Sequence, residues 1–283
     1  MSKKSYLSIY AKSFNWAGFF LPQHTYQNCS KLYSFCRILD NIADDQDTIA
    51  NKEKKFTDFK ELYLKNTSNN SIVEDMKELE KNYDISKNVI NDLFDGIESD
   101  IKETVKFKSE KDLLLYSYRV AGTVGLMMAK ILGVKTITSL KAAINLGVAM
   151  QLTNISRDVI EDSINNRFYI HHSMDDIKST IKISEVFYDN SFYSIKEIPI
   201  NLRFAILVAR RVYRKIGRKI MKINSFEDYK NSGKIYVNNL EKVLETVYSI
   251  YDFFKLMIIK DNKEKYNLNY KDIYGLINLD ERI

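Results

Sequence analysis

The chain has 283 residues, of which 45% are hydrophobic, and 43 basic and 37 acidic residues give it a formal net charge of +6. This length and apolar content can form one large buried core, and the mild charge, with no block of one sign, excludes a nucleic-acid-binding arm. Only 2 prolines and 9 glycines interrupt the sequence. Because β-rich and βαβ folds need frequent turns, we predict an all-α protein with a single domain over residues 1–283.

The predicted helices follow one another with short connections. A short helix over residues 5–20 precedes a long one over 24–47. Further helices are predicted at 51–65, 72–82, 86–103, 110–132, 137–163, 200–223 and 232–260. Residues 66–71 are predicted to form a polar loop, whereas the pattern over 175–189 is ambiguous.

The two cysteines and the apolar runs bear on location. Cys29 and Cys36 lie seven residues apart in one predicted helix, so we expect buried thiols and no disulfide between them. The longest strongly apolar run, residues 120–129, is about half of the ~20 residues that span a bilayer. Lys12 interrupts the N-terminal stretch that a signal peptide would need. We therefore expect a cytoplasmic protein, and we leave peripheral contact with a membrane and the oligomeric state open.

The helix predicted at 24–47 carries a first aspartate pair, Asp40 and Asp44. With two upstream residues this pair forms one stripe at offsets 0, 4, 7 and 11, since each helical residue turns about 100°. The stripe consists of Tyr33, Arg37, Asp40 and Asp44. Carboxylates one helical turn apart are about 5–6 Å from each other and repel unless a cation lies between them.

A second aspartate pair, Asp158 and Asp162, lies in the helix predicted at 137–163. Its stripe has offsets 0, 3, 7 and 11 and consists of Gln151, Asn154, Asp158 and Asp162. Arg157 lies beside this stripe and would reach in from its flank. We predict that the two stripes face each other across a cavity.

The two aspartate pairs allow two interpretations. Each follows an apolar run, where an uncompensated carboxylate is expensive to bury. Buried salt bridges to Arg37 and Arg157 are one explanation. Paired hard oxygen ligands beside arginine also suit magnesium ions that carry diphosphate, and we favour this second interpretation. No P-loop, GxGxxG or Ser/His/Asp arrangement is visible.

The helix predicted at 110–132 contains Gly122 and Gly125. Each interior glycine costs a helix about 1 kcal/mol relative to alanine. The glycines therefore serve either close helix packing or space for a ligand, and the sequence leaves both open. An apolar, aromatic-lined cavity would suit an allylic carbocation formed when the diphosphate ester of an allylic alcohol loses its diphosphate.

Several stretches resemble the motifs of the squalene/phytoene synthases. Residues 12–14 resemble the N-terminal KSF element, and residues 32–37 with Asp40 and Asp44 resemble the first aspartate-rich region. Residues 116–125 resemble the Y-x-Y-x-VAGTVG helix, and residues 151–162 resemble the QLTNI-x-RDV-x-ED signature. Arg167 and Tyr169 match the R-x-Y that follows. The matches run from residue 12 to 169 in the expected order, although Asn41 stands where many members have aspartate.

The resemblance implies an all-α isoprenoid-synthase helical bundle around a central cavity and assigns roles to residues. The implied magnesium ligands are Asp40, Asp44, Asn154 and Asp158. The implied catalytic residues are the four aspartates Asp40, Asp44, Asp158 and Asp162. Two or three Mg²⁺ ions would bind with diphosphate. The implied diphosphate contacts are Lys12, Ser13, Arg37, Gln151 and Arg157. The implied substrate contacts or cavity walls are Tyr33, Tyr118, Arg167, Tyr169 and, more remotely, Tyr236.

The resemblance implies head-to-head condensation of two prenyl diphosphates. In our alignment Gly18 lies one turn past Phe14, where C15-using dehydrosqualene synthases carry a bulky side chain, so we expect a deeper tunnel and the C20 substrate geranylgeranyl diphosphate. The product would be phytoene, formed for carotenoid biosynthesis without NADPH. The alternatives are a squalene, presqualene-diphosphate or dehydrosqualene synthase that uses farnesyl diphosphate, and a non-catalytic relative that acts as an assembly protein.

Overall fold

The computed structural model describes residues 12–65, 69–259, 275 and 277–283, with only the backbone described for residues 12–14. Within these ranges the chain is a bundle of helices, as predicted. In chain order the helices are α1 (Lys12–Gly18), α2 (Gln23–Asp44), α3 (Ile49–Leu64), α4 (Ser71–Asn82), α5 (Lys87–Glu98), α6 (Glu110–Ser117), α7 (Thr123–Ile131), α8 (Ile137–Arg157), α9 (Val159–Ile164), α10 (Met174–Phe192), α11 (Ile200–Ile220), α12 (Phe226–Asn231) and α13 (Asn239–Ile258).

Helix α8 lies at the centre of the bundle. It packs against α7, α10 and α11, and its side chains Ile144, Val148 and Leu152 are fully buried. Because α8 is apolar on most sides, it is a core helix rather than a surface helix with one apolar stripe. This position holds the second stripe, at the C-terminal end of α8, inside the protein.

Side-chain caps explain where many helices begin. Short polar residues accept hydrogen bonds from the first backbone N–H groups of seven helices, which otherwise lack partners. These N-cap residues are Thr48, Asn70, Ser86, Ser109, Ser173, Ser225 and Asn238. Ser109 with Asp112, and Asn238 with Glu241, complete reciprocal capping boxes.

Two predicted helices are shorter than expected, since the one predicted at 86–103 ends at Glu98 and the one predicted at 232–260 begins at Asn239. Two others are interrupted. The segment predicted as one helix over 110–132 contains a π-helical turn, Tyr118–Gly122, in which the Thr123 N–H donates to the Tyr118 carbonyl. The helix predicted at 137–163 is interrupted at Asp158, where α8 ends and α9 begins. The ambiguous stretch over 175–189 is helical, as part of α10.

A two-residue parallel ladder, absent from the prediction, joins β1 (Val105–Lys106) and β2 (Arg167–Phe168). So short a ladder has no sequence pattern that periodicity could detect. Its effect is positional, because it fixes the start of the segment that carries Arg167 and Tyr169.

Two further expectations concern the cysteines and the membrane. Cys29 and Cys36 are both buried free thiols, as predicted. Within the described residues, no helix combines the length and the apolar character that a membrane-spanning segment needs.

Candidate active site

The two aspartate pairs line one cavity, here called the polar cavity, which has a volume of about 240 Å³. The C-terminal half of α2 supplies one wall and the junction of α8 and α9 supplies the opposite wall. The predicted site residues in its lining are Asp40, Asp44, Gln151, Asn154, Arg157, Asp158, Asp162, Arg167 and Tyr169. The predicted opposition of the two stripes across a cavity is therefore present in the structure.

A second cavity, here called the apolar cavity, has a volume of about 260 Å³ and shares four lining residues with the polar cavity. The shared residues are Asp40, Val120, Gln151 and Asn154. Beyond them the wall is almost entirely apolar, with Gly18 and Leu21 among the residues from the α1 end and Tyr33 in its wall. The two cavities together can hold one ligand, with its charged end in the polar cavity and its apolar end in the apolar cavity.

The first aspartate pair is balanced by an arginine from a distant part of the chain. The buried Arg167 donates from Nη1 to Asp44 Oδ1 at 2.6 Å and from Nη2 to the Ala43 carbonyl at 3.0 Å. The Asp40 side chain is 45% exposed, but its carboxylate lies within the cavity and is surrounded by protein atoms. This enclosure, followed by repulsion from Asp44, raises the pKa of Asp40 to about 7.

The second aspartate pair is balanced by its own neighbour. The Arg157 guanidinium contacts both carboxylate oxygens of Asp158, with Nε 2.8 Å from Oδ1. Lys234 Nζ lies 3.5 Å from the same Oδ1 atom. Burial, followed by repulsion from Asp158, raises the pKa of Asp162 to about 8. Each pair thus contains one carboxyl group that resists ionisation as long as no further cation is present.

Asn154 provides an independent indication of a ligand. Its Nδ2 is 3.4 Å from Gln151 Oε1, but its buried Oδ1 accepts no hydrogen bond from any described residue. A buried acceptor without a donor costs about 1–3 kcal/mol. Because this oxygen belongs to a residue that lines both cavities, a bound cation would satisfy it.

A buried cluster of Asp100, Tyr116 and Tyr169 forms another part of the polar wall. Both tyrosine hydroxyls donate to Asp100, at 2.6 Å from Tyr116 and 2.7 Å from Tyr169, and the hydroxyls are 3.0 Å apart. Burial raises the pKa of Asp100. Asp100 was not predicted as a site residue, because it lies near the end of the helix predicted at 86–103, among other acidic residues.

Two glycines allow the helices behind the cavities to approach each other. A Cβ atom at Gly125 would lie 2.3 Å from the Ala143 carbonyl oxygen, and one at Gly147 would lie 2.2 Å from the Ala121 carbonyl oxygen. The backbones of α7 and α8 therefore touch, which requires glycine on both sides. Gly125 and Gly147 also line the apolar cavity, so both roles considered for glycine in the 110–132 helix apply to Gly125.

Two predicted tyrosines are not among the residues that line either cavity. Tyr118 is fully buried, and its hydroxyl donates to Asp92 at 2.8 Å on the side where Arg282 also contacts Asp92. This corrects its predicted role, because residues two apart in a helix point about 200° from each other and Tyr116 is the one that faces the cavity. Tyr236 is 69% exposed on the surface, and its substrate contact stays a prediction.

Three other predicted diphosphate contacts have different outcomes. Arg37 does not line either cavity but lies beside Asp40, with Nη1 3.9 Å from Oδ2. The side chains of Lys12 and Ser13 lie outside the described part of the structure. Tyr213 of α11, which was not predicted as a site residue, also lines the apolar cavity. Burial raises the pKa of Tyr213, and the nearby Arg157 offsets part of this rise.

Comparison with known proteins gives the family. The sequence profile described as Squalene/phytoene synthase matches residues 7–174. The 15-cis-phytoene synthase of Enterobacter agglomerans is 29% identical over 252 residues, which cover 77% of this chain and 85% of that protein. The 4,4'-diapophytoene synthase of Staphylococcus haemolyticus is 28% identical over 260 residues, which cover 82% of this chain and 90% of that protein.

A solved structure gives the same result for the fold. The crystal structure of a dehydrosqualene synthase in complex with ligand matches 88% of this chain and 94% of its own chain, with a TM-score of 0.71 and 27% sequence identity. The fold, the paired aspartates and the matched profile all agree. The chain therefore belongs to the squalene/phytoene synthase family of all-α, prenyltransferase-like head-to-head synthases.

Proposed function

We propose that this protein is a phytoene synthase that condenses two molecules of geranylgeranyl diphosphate. One substrate loses its diphosphate to give an allylic cation, and the double bond of the second attacks it. Loss of a proton closes a cyclopropane ring and gives prephytoene diphosphate. This intermediate then loses its own diphosphate, rearranges and loses a second proton to give phytoene.

The observation that carries the proposal is the junction of the two cavities. A prenyl diphosphate has a strongly charged head and a long apolar tail. The polar cavity offers carboxylates and arginines, and the apolar cavity continues from it past Asp40, Gln151 and Asn154. A head held at the first cavity therefore places its tail in the second, where water is excluded and a carbocation survives longer.

The polar cavity fits divalent cations bound together with diphosphate. Asp40, Asp44, Asn154 and Asp158 would hold magnesium, whose preferred ligands are oxygens, and Asn154 Oδ1 lacks a hydrogen-bond donor among the described residues. In the described ranges no three His, Cys, Asp or Glu side chains already form a metal cluster, so diphosphate oxygens would complete the ligand set. When bound, magnesium stabilises the negative charge of the departing diphosphate.

The remaining residues position these groups. Arg167 fixes the Asp44 carboxylate, and Arg157 fixes Asp158 while its cationic group lies in the polar wall. Gln151 is available to hold diphosphate. Tyr33 and Tyr213 present aromatic rings to the apolar cavity, close to where a cation would form, and such rings attract cations.

Gly18 supports the C20 substrate. It lies in the wall of the apolar cavity, as the alignment predicted, next to Ala17 and Leu21. A bulky side chain at this point would shorten the space for a tail. The 15-cis-phytoene synthase of Enterobacter agglomerans is similar over most of its length, which favours the same substrate class.

Farnesyl diphosphate is the second candidate substrate. The similarity to the 4,4'-diapophytoene synthase of Staphylococcus haemolyticus and to the solved dehydrosqualene synthase is nearly as great as that to phytoene synthases. The chemistry would be the same, and only the tail length and the product would differ.

Incubation of the purified protein with Mg²⁺ and each prenyl diphosphate, with and without NADPH, tests the proposal. We expect phytoene from geranylgeranyl diphosphate in the absence of NADPH, identified by mass spectrometry of the extracted lipid. We also expect Gly18→Phe to reduce turnover of the C20 substrate relative to the C15 substrate by about tenfold or more, because one bulky group displaces several methylenes.

Gly18→Ala is the matched control, since it adds a side chain too small to block the tail. Product from farnesyl diphosphate alone would contradict the C20 proposal and favour the second candidate. Lack of turnover with either substrate would contradict both, and would favour the assembly-protein alternative.

A further inference from the structure

Helix α13 carries its apolar side chains on the outside. Within Asn239–Ile258, all of which the structure describes, every exposed residue after Asn239 is apolar or aromatic. These ten residues are Leu240, Val243, Leu244, Val247, Tyr248, Ile250, Tyr251, Phe254, Met257 and Ile258. We call them the outer face. Contiguous apolar surface of this length is uncommon on soluble proteins and marks an interaction site.

The inner face of the same helix is polar and ionic. The buried side chains include Glu245 and Asp252, which share Arg211 of α11, with Arg211 Nε 2.5 Å from Asp252 Oδ2 and Nη1 3.4 Å from Glu245 Oε2. Ser249 between them is fully buried. Buried ion pairs give little net stability because desolvation opposes them. The hydrophobic effect within this chain therefore does not explain why the apolar side faces outward.

The outer face is too wide for a single helical partner. Its two edges are Tyr248 and Met257, nine positions apart, and at about 100° per residue they are separated by about 180° around the helix. A second helix packed in a coiled-coil manner covers only a narrow seam. A bilayer surface covers the whole half-cylinder.

The apolar surface continues toward the apolar cavity through aromatic contacts. Phe20, next to the 75% exposed Phe19, packs on Phe204 with ring centroids 5.0 Å apart. Phe204 packs on Phe253 at 6.2 Å, and Phe253 contacts Phe254 of the outer face at 5.9 Å. Phe19 directly follows Gly18, which lines the apolar cavity. The outer face is thus connected to the end of α1 at which the apolar cavity begins.

Basic groups lie at both ends of α13. Near its N-terminal end are Arg218, which is exposed, and Lys219, which contacts the Tyr236 carbonyl and Glu241. Near its C-terminal end, Lys196 donates to the Ile259 carbonyl, and Lys255 lies over the Phe192 ring. These four basic side chains outnumber the two acidic side chains near the ends of the helix, Glu241 and the exposed Glu197. This charge complements an anionic lipid surface.

We propose that the outer face of α13, together with Phe19 and Phe20, docks on the surface of an anionic phospholipid bilayer. The helix axis lies parallel to the bilayer, with the apolar side chains about 5–10 Å deep, at the boundary of headgroups and acyl chains. Tyr248 and Tyr251 suit this depth, because their rings are apolar and their hydroxyls polar. Transfer of polyprenyl chains between bilayer and apolar cavity at this surface rests on the proposed function; the docking itself does not.

Centrifugation of the purified full-length protein with phospholipid vesicles tests the proposal. We expect the protein to pellet with vesicles of phosphatidylcholine mixed with phosphatidylglycerol, more weakly with phosphatidylcholine alone, and less in high salt. The outer-face variant Val247→Ser, Tyr251→Ser, Phe254→Ser should lose about tenfold or more of its partition coefficient, because it removes three apolar side chains from the docked surface.

A matched variant, Leu64→Ser, Ile137→Ser, Val186→Ser, removes three apolar side chains of similar exposure elsewhere and should bind like the wild type. Circular dichroism checks that both variants fold. Turnover of detergent-dispersed substrate by the outer-face variant should equal that of the wild type, so loss of vesicle binding is measured separately from loss of the proposed reaction.

Three results would overturn the proposal. The first is wild-type protein that stays in the supernatant with both kinds of vesicle. The second is equal vesicle binding by the wild type and the outer-face variant. The third is a wild-type dimer in light scattering that the outer-face variant converts to a monomer without any vesicle binding, since the face would then join two copies of this chain.

Discussion

The two aspartate pairs have the same spacing but are built differently. The first ends an uninterrupted helix, with Asp40 and Asp44 one turn apart in α2. The second spans a break, since Asp158 has φ −106° and ψ 15° and separates α8 from α9. The Asp162 N–H still donates to the Asp158 carbonyl at 2.7 Å. One i, i+4 hydrogen bond is therefore enough to keep both carboxylates on the same wall.

The balancing cations differ more than the backbones do. Asp44 is held by Arg167, which is 123 residues away in the chain, whereas Asp158 is held by the adjacent Arg157. The spacing of carboxylates along a helix indicates where they lie relative to each other. It does not indicate which cation balances them, because that depends on what the fold brings alongside.

The largest expected effect tests whether the two pairs act alike. We expect Asp40→Ala and Asp158→Ala each to lower the turnover of prenyl diphosphate by about a thousandfold or more, because each removes a charged oxygen ligand at the site of diphosphate departure. Steady-state assays with Mg²⁺ measure this, with circular dichroism to check the fold.

Asp75→Ala is the control, since Asp75 lies away from both cavities and forms a surface ion pair with Lys31 at 3.1 Å. Near-normal activity in either cavity variant would show that its pair has a structural role alone. A large loss in one variant and a small loss in the other would mean that only one pair binds metal.

A smaller effect is expected for the two balancing arginines. Arg167→Ala and Arg157→Ala should each lower turnover by about 10- to 100-fold, as is typical when a group that orients a metal ligand is removed. Because Arg167 contacts Asp44 and backbone, excess Mg²⁺ should restore part of the activity of Arg167→Ala. It should restore less for Arg157→Ala, whose guanidinium is also proposed to contact diphosphate.

Arg119→Ala serves as the control, because Arg119 forms a surface ion pair with Asp95 at 3.5 Å and should leave turnover within about twofold. Equal rescue of both cavity variants by Mg²⁺ would contradict a separate diphosphate contact for Arg157.

The helices and the two opposed stripes could be predicted because they depend on local periodicity. Residues spaced three and four apart share a face whatever the rest of the fold does. The break at Asp158 could not be predicted in this way, since residues on both sides have helical propensity. The ladder that places Arg167 could not be predicted either, because two residues carry no periodic signal.

The errors at the site have specific causes. Tyr118 was assigned to the cavity because it belongs to a recognisable motif, yet its spacing from Tyr116 already implied that only one of the two could face it. Asp100 was missed because only the fold brings it to Tyr116 and Tyr169. Motif membership therefore predicts the neighbourhood of a residue better than the direction of its side chain.

The pH dependence of stability compares the pairs without substrate. The pKa values of Asp40 and Asp162 are raised from 3.8 to about 7 and about 8 in the folded protein. Between the ordinary and the raised pKa the folded state binds more protons than the unfolded state, so stability is present at low pH and falls as pH rises through this window. We expect the melting temperature in EDTA to fall by a few °C from about pH 5 to pH 8.

Other groups also titrate in this range, so the informative quantity is the difference between variants. Asp40→Asn and Asp162→Asn should each flatten the pH dependence of the melting temperature measured by scanning fluorimetry, one variant for each pair. A slope unchanged by both substitutions would contradict the raised pKa values.

The smallest effect is expected for Tyr118, which shares a motif with the site but lies outside both cavities. Tyr118→Phe removes one hydroxyl that donates to Asp92, while Arg282 continues to hold Asp92 through Nε at 2.6 Å. We expect turnover within about twofold of the wild type and a loss of about 1 kcal/mol in the free energy of unfolding, measured by denaturant titration. Tyr169→Phe is the paired variant, because it breaks a buried bond to Asp100 in the polar wall and should lower turnover more. Equal losses of turnover in Tyr118→Phe and Tyr169→Phe would contradict this expectation and show that Tyr118 contributes to the site formed by the two aspartate pairs.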